Sequence, residues 1–200
     1  MKKIILASAS PRRKELLEKI GLKFEVDAIG CDEEIDEGID PQEIVRQLSI
    51  KKAKSAVARH KNALIIAADT IGVMGEKTLG KPHTENEAHK MLQAISGKSH
   101  FVITGFSILD TTTNKIVTGT VNTRVYIKKL TGQEIDAYVK TGEPLDKAGA
   151  YAIQGMGAVI VEKIEGDYYN VMGLPLNALT EALKGFGIDV WENNPLYSQV

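Results

Sequence analysis

The chain reads as an α/β protein, a sheet covered by helices, on three observations. A short apolar run, Ile4-Ile5-Leu6, passes through a Ser/Ala turn into a helical pattern that begins at Pro11. An uninterrupted apolar run, Ala63-Leu64-Ile65-Ile66-Ala67-Ala68, has the character of a strand buried on both faces, as α/β sheets require. From Phe101 to Leu109 and from Lys115 to Ile127 the chain is rich in Val, Ile, Thr and aromatics, with Asp110-Thr111-Thr112-Thr113-Asn114 between, the pattern of a long antiparallel hairpin. An early parallel sheet and a hairpin-rich middle can flank a cleft as two lobes.

Each element has its own signal. In the first helix Ser10 is a suitable N-cap, Pro11 sits where its missing N–H costs nothing, Leu16, Leu17 and Ile20 form the apolar face, and Gly21 is the stop. Leu22, Phe24, Val26 and Ala28 alternate with polar residues, which predicts a half-buried strand. Asp40-Pro41-Gln42-Glu43 opens a capped helix whose apolar face (Ile44, Val45, Leu48, Ala53, Ala56, Val57) runs to about His60. Thr84-Glu85-Asn86-Glu87 and Thr131-Gly132-Gln133-Glu134 repeat the capping pattern, with Gly97 and Gly142 as stops. The stretch from Glu143 to Gly155 has no period and reads as a long irregular segment. Val159-Ile160-Val161 is the next predicted strand, Gly166-Asp167 a turn, and Leu176, Leu179 and Leu183 the face of a last helix. The expected domain organisation is a single domain over residues 1–200.

Composition narrows the function. The chain is 43% hydrophobic and 26% charged, which excludes a disordered polymer. A net charge of −1 gives no global attraction to nucleic acid, and none is expected as a partner. The single cysteine, Cys31, excludes a disulfide framework and a thiolate metal cage. The apolar run after Met1-Lys2-Lys3 is too short for a signal peptide, and no run reaches membrane-spanning length, so a cytoplasmic protein without membrane association is expected. His60, His83, His89 and His100 have no joint metal spacing, which argues against a zinc hydrolase.

The chemistry is concentrated in a few positions. Arg12 and Arg13 lie in the first turn of a helix, where the dipole disfavours cations by roughly 0.3–1 kcal/mol each. An anion reverses that sign, and free N–H groups, serine hydroxyls and guanidinium forks suit a phosphate chain. Asp69 closes the central apolar run, at the strand end where α/β sheets bind ligands. Glu33, with Glu34 as its alternative, follows the second strand in an acidic loop. Ser8, Arg12, Arg13, Glu33, Lys52, Asp69, Lys81 and Gln154 together make four cations, two carboxylates and two neutral hydrogen-bonders. A triphosphate carries about four negative charges and binds Arg through bidentate, charge-assisted bonds. Carboxylates instead bind Mg²⁺, which bridges phosphate oxygens. The set therefore points to a metal–nucleotide substrate, with Asp69 as base, metal ligand or both. Ser8 reads as a phosphate donor rather than a nucleophile, because no histidine stands at a telling position. Neither a Walker-type nor a Rossmann-type glycine motif occurs.

The motifs Ser8-Ala9-Ser10-Pro11-Arg12-Arg13, Ala67-Ala68-Asp69-Thr70, Gly80-Lys81-Pro82, Gly142-Glu143-Pro144-Leu145-Asp146-Lys147-Ala148-Gly149-Ala150-Tyr151 with Gln154-Gly155, and Asn170-Val171-Met172-Gly173-Leu174-Pro175 resemble, in order, those of the Maf family of nucleotide pyrophosphatases. The resemblance implies a mixed, elongated, twisted sheet with flanking helices and two lobes around a cleft, Maf/ITPase-like, often dimeric. It implies hydrolysis of a nucleoside triphosphate between the α and β phosphates with a divalent cation, Mg²⁺ or Mn²⁺, held by Glu33 and Asp69. Asp69 takes the role of proton acceptor, with Glu33 and Lys81 beside it in catalysis, and Ser8, Arg12, Arg13, Lys52, Thr70 and Gln154 bind substrate. Lys52 is the less firm match, with Lys51 and Lys54 close by. Arg12, Thr70 and Gln154 resemble the branch acting on dTTP and UTP, and the Gln154 amide can both donate to and accept from the O4/N3–H edge of uracil or thymine. CTP and modified pyrimidine nucleotides are further expected substrates. Two other readings compete: a nucleotide-sensing regulator of cell division or septum formation without turnover, and a phosphotransferase that would release a diphosphate.

Overall fold

The structure, a computed structural model, describes residues 2–28 and 38–192. The first apolar run forms β1 (Lys3–Leu6), which leads into α1 (Pro11–Lys19). Ser10 stands at the N-cap with extended backbone, but its side chain makes no capping bond. Its N–H instead donates to the Ser8 hydroxyl at 3.2 Å, so Ser8, not Ser10, closes the turn. The helix stops where Gly21 adopts φ +68°, with its N–H on the Glu18 carbonyl at 2.9 Å and the Leu22 N–H on that of Leu17 at 3.2 Å. The predicted second strand shrinks to β2 (Glu25–Val26), with both residues exposed. Its partner explains this: β2 stands at the end of the strand order and pairs with β1 through Ile5↔Glu25 and Leu6↔Val26, where β1 stops.

α2 (Pro41–Ala56) starts as expected, with the Asp40 carboxylate accepting from the N–H groups of Gln42 (2.9 Å) and Glu43 (3.4 Å). A 3-10 turn, Val57–Arg59, carries the chain to His60. β3 (Ala63–Met74) runs well past the predicted end at Ala68, so Asp69 and Thr70 lie within a strand rather than after one. The extension pairs antiparallel with β4 (Lys77–Leu79), through Gly72↔Leu79 and Met74↔Lys77. α3 (Glu85–Ile95) is capped by Thr84, and the long hairpin appears as β5 (Ser99–Asp110) and β6 (Ile116–Ile127). At its tip Asn114 is left-handed (φ +58°), and its N–H donates to the Asp110 carbonyl at 2.8 Å. α4 (Gly132–Val139) has a complete capping box between Thr131 and Glu134.

The aperiodic stretch folds into short 3-10 turns at Glu143–Asp146, Ala148–Ala150 and Met156–Val159. Val159 belongs to the last of these, and the strand expected there is β7 (Val161–Glu165). The Tyr168–Pro175 stretch holds a further short helix, α5 (Tyr168–Met172), before α6 (Leu176–Lys184).

The strands form one seven-stranded sheet in the order β2-β1-β3-β5-β6-β7, with β4 on β3. It is mixed: β1 is parallel to β2 and β3, while β4 and β7 pair antiparallel with β3 and β6. The chain divides into two compact units, one of Met1–Thr70, Thr104–Val121 and Gly173–Val200, the other of Ile71–Ile103 and Asn122–Met172. In the first unit, Ala53 and Ala56 of α2 pack on Ile5, Ala7, Ala63, Ile65 and Ala67. These small side chains let the helix lie close to the sheet, where the Ser49 and Ser107 hydroxyls meet at 2.7 Å in the interior. The second unit is built on Ala88, Leu92 and Ile95 of α3 against Ile135, Tyr138 and Val139 of α4 and Val125 and Ile127 of β6. Among the described residues no helix is long and apolar enough to cross a membrane.

The second unit also buries His100, which is 2% exposed. Its Nε2 lies 2.9 Å from the Tyr151 hydroxyl, and burial pushes its pKa down from 6.5 to about 4. The unfolded chain therefore binds this proton first, and stability is lost as pH falls from about 6.5 to about 4. A shift of this size corresponds to about 3 kcal/mol. Urea titrations between pH 7 and pH 4 are expected to show that loss for the native chain, and a flatter profile for His100→Phe.

Candidate functional site

The candidate residues of the first unit are organised by the end of β1. Leu6 pairs with Ile66, and the last link is the Ala7 N–H on the Ile66 carbonyl at 2.8 Å. Residues 68–70 of β3 thus lie past their last β1 partner, and the pleat sends alternate side chains to opposite faces. Ala63, Ile65 and Ala67 face Ala53 and Ala56 of α2. Asp69 continues that row and forms an ion pair with Lys52 of the same helix, both side chains nearly buried, 12% and 13% exposed. Thr70 points the other way, and its hydroxyl accepts from Arg13 Nη2 at 3.1 Å and lies 2.9 Å from the Thr104 hydroxyl.

Arg13 ties three chain segments together. Besides Thr70, its Nη1 donates to the Ser8 hydroxyl at 3.3 Å and its Nε to the Gly173 carbonyl at 2.8 Å. Arg13 stands in the first turn of α1, which carries no acidic side chain, five residues after Ser8. Ser8 is buried, and Arg12 beside it is half-buried. The structure therefore brings Ser8, Arg13 and Thr70 together by hydrogen bonds, and Lys52 and Asp69 as an ion pair.

Lys81 and Gln154 belong to the second unit, and both are exposed. The Lys81 loop is fastened from behind, since the Gly80 carbonyl accepts from the Gly149 N–H at 3.0 Å and Pro82 is buried. Glu33, its alternative Glu34, and Cys31 lie outside the described residues. Two participants went unrecognised in the sequence, Thr104 and the Gly173 carbonyl. Thr104 sits inside an ordinary strand pattern, and a backbone oxygen leaves no compositional trace. Gly173 was visible only as part of the Asn170–Pro175 motif.

Among the described residues no group of three or more His, Cys, Asp or Glu side chains is placed to hold a metal ion. Mg²⁺ carried by a nucleotide needs only one or two carboxylates beside phosphate oxygens and water. Asp69 is a hard oxygen donor of the required kind, paired with Lys52.

A family model described as Maf-like protein matches residues 3–186. A dTTP/UTP pyrophosphatase of Desulforamulus reducens is 45% identical over 190 residues, covering 95% of this chain and 100% of that protein. The dTTP/UTP pyrophosphatase of Methanococcoides burtonii is 49% identical over 194 residues, covering 96% and 100%. One from Bacillus cereus is 48% identical over 190 residues, covering 95% and 93%. Among solved structures, the Staphylococcus aureus Ham1 protein aligns at TM-score 0.47 and 20% identity over 92% of this chain and 100% of that one, a likeness too slight to bear on the argument.

The Lys52–Asp69 pair makes a stability prediction. Lys52→Ala leaves a nearly buried carboxylate without this counter-charge, at an expected cost of about 1–3 kcal/mol. Adding Asp69→Asn should recover part of that cost, so the double variant is less destabilised than the sum of the singles. Urea denaturation of the four proteins measures the coupling, and strict additivity would mean that the pair contributes nothing.

Proposed function

The chain belongs to the Maf family, and on that premise we propose that it is a nucleoside triphosphate pyrophosphatase acting on dTTP and UTP, with CTP and modified pyrimidine nucleotides as further substrates. Water attacks the α phosphorus, and the products are the monophosphate and pyrophosphate. The observation that carries this reading is the convergence past the end of β1, where Asp69 is paired with Lys52 and the next residue, Thr70, shares Arg13 with Ser8. A base and several phosphate-binding groups are thereby held on short, rigid connections.

In this reading Asp69 accepts the proton of the attacking water, its carboxylate held in place by the ion pair with Lys52. Ser8 and Arg13 hold phosphate oxygens, their directions set by the hydrogen bond between them. Lys81 adds a cation for the charge that develops on the leaving pyrophosphate. Arg12, Thr70 and Gln154 select the nucleotide, Gln154 by matching the O4/N3–H edge with its amide. Asp69 and Glu33 would hold a divalent cation, Mg²⁺ or Mn²⁺, supplied with the nucleotide, and that cation would neutralise phosphate charge. We further propose that residues 1–200 work as one domain, as a homodimer in the cytoplasm, without a nucleic-acid partner. The net charge of −1 supports the last point.

The test is a panel of nucleoside triphosphates with Mg²⁺ and identification of products. Release of monophosphate and pyrophosphate, fastest from dTTP and UTP, is expected. A diphosphate product would mean phosphotransfer, and tight binding without turnover would mean a sensor. Asp69→Asn should retain the fold and nucleotide binding but lower kcat by roughly 10²–10⁴-fold. Chelation of divalent cations should abolish turnover, and their return should restore it.

A further inference from the structure

The irregular segment after α4 carries Gln154 on an exposed turn, yet its backbone is held from inside the second unit. Glu143 does the holding. Its Oε1 accepts from the Tyr138 hydroxyl at 2.7 Å and from the Gly157 N–H at 2.9 Å, and its Oε2 accepts from the Met156 N–H at 3.0 Å. The Tyr138 hydroxyl in turn accepts from the Ala152 N–H at 3.1 Å, and the Gly155 N–H donates to the Ala152 carbonyl at 3.1 Å. Gln154 is thus bracketed by tethered backbone on both sides. Tyr151, two residues further back than Ile153, is buried against His100.

The two glycines that follow Gln154 are required by this arrangement. A Cβ at Gly155 would lie 2.0 Å from Glu143 Oε2, and one at Gly157 would lie 2.6 Å from both the Ala152 carbonyl and the Tyr138 hydroxyl. Neither site has room to give, because the opposing atoms are themselves hydrogen-bonded. The carboxylate is required as well. It takes three donors with two oxygens, whereas a glutamine amide has one accepting oxygen and would set its NH₂ against an N–H. Burial alone would raise the Glu143 carboxyl, but hydrogen bonds from Tyr138, Gly157 and Met156 outweigh it and hold it below its ordinary value.

We propose that Glu143, acting with Tyr138, is a positioning residue for nucleotide selection: it fixes the 152–157 backbone so that the Gln154 amide meets the base edge in one register. The inference rests on the reading that Gln154 recognises the base. An amide on a mobile turn can rotate to match several base edges, whereas one on a tethered turn leaves a wrong base with unpaired groups.

The experiment compares the full chain with Glu143→Gln, Tyr138→Phe and Gln154→Ala. It measures kcat and KM for UTP and GTP with Mg²⁺, thermal melting, and hydrogen exchange of the Met156 and Gly157 amides. Glu143→Gln and Tyr138→Phe are expected to lower the UTP-to-GTP ratio of kcat/KM by about 10-fold, chiefly through KM for UTP, with faster exchange at both amides. Gln154→Ala should lower the ratio at least as much without speeding exchange. If Gln154→Ala lowers the ratio while the other two keep it, the positioning role is overturned and base recognition stands. If Gln154→Ala itself keeps the ratio, base recognition is overturned, and the positioning role with it. Should Glu143→Gln melt below the assay temperature, Tyr138→Phe, which lacks only a hydroxyl, decides the question alone.

Discussion

The difference in length between β1 and β3 organises the first unit. β1 stops at Leu6, while β3 continues to Met74, so the polypeptide that would have continued β1 is free to turn at Ser8 and start α1. Two successive residues of β3 then stand past their last β1 partner, and the period of two sends Asp69 toward α2 and Thr70 toward Arg13. A longer β1 would place ladder hydrogen bonds where Ser8 now accepts from Ser10 and Arg13.

Around that strand end, polar side chains are held by other polar side chains rather than by regular structure. Arg13 reaches Ser8, Thr70 and the Gly173 carbonyl, and Thr70 meets Thr104. Several of these groups are buried, and buried polar groups persist only when hydrogen-bonded. The result is a set of side chains with little rotamer freedom, the condition under which binding energy goes into recognition rather than ordering. The second unit uses the same device with different parts, a carboxylate and a phenol that fasten an otherwise irregular loop.

Local signals were legible wherever the cause is local. The caps at Asp40 and Thr131, the stop at Gly21 and the Asp110–Asn114 hairpin tip all depend on residues within a few positions of one another, and each appears in the structure. The strand errors have a common origin in partners distant in sequence. β2 is short where β1 stops, β3 reaches Met74 where β4 returns to pair with Gly72–Met74, and β7 begins at Val161 after the Met156–Val159 turn, whose first residues Glu143 binds. The N-cap at Ser10 differs for a local reason: its N–H donates to the Ser8 hydroxyl two residues away, and its own side chain makes no capping bond.

By itself the sequence determined the α/β class, the order of most elements and the membership of the motifs in one family, because periodicity, caps and motif residues are written in neighbouring positions. Asp69 is legible from its place at a strand end, Ser8 and Arg13 from a helix start, and Gln154 from its motif. Only the tertiary structure decided which of them touch: that Asp69 pairs with Lys52, that Arg13 is shared by Ser8 and Thr70, and that Glu143 clamps the loop of Gln154. The physical reason is that a hydrogen bond or ion pair depends on distance in space. Segments such as Arg13 and Gly173, 160 residues apart in the chain, come within 2.8 Å only through the packing of the whole unit.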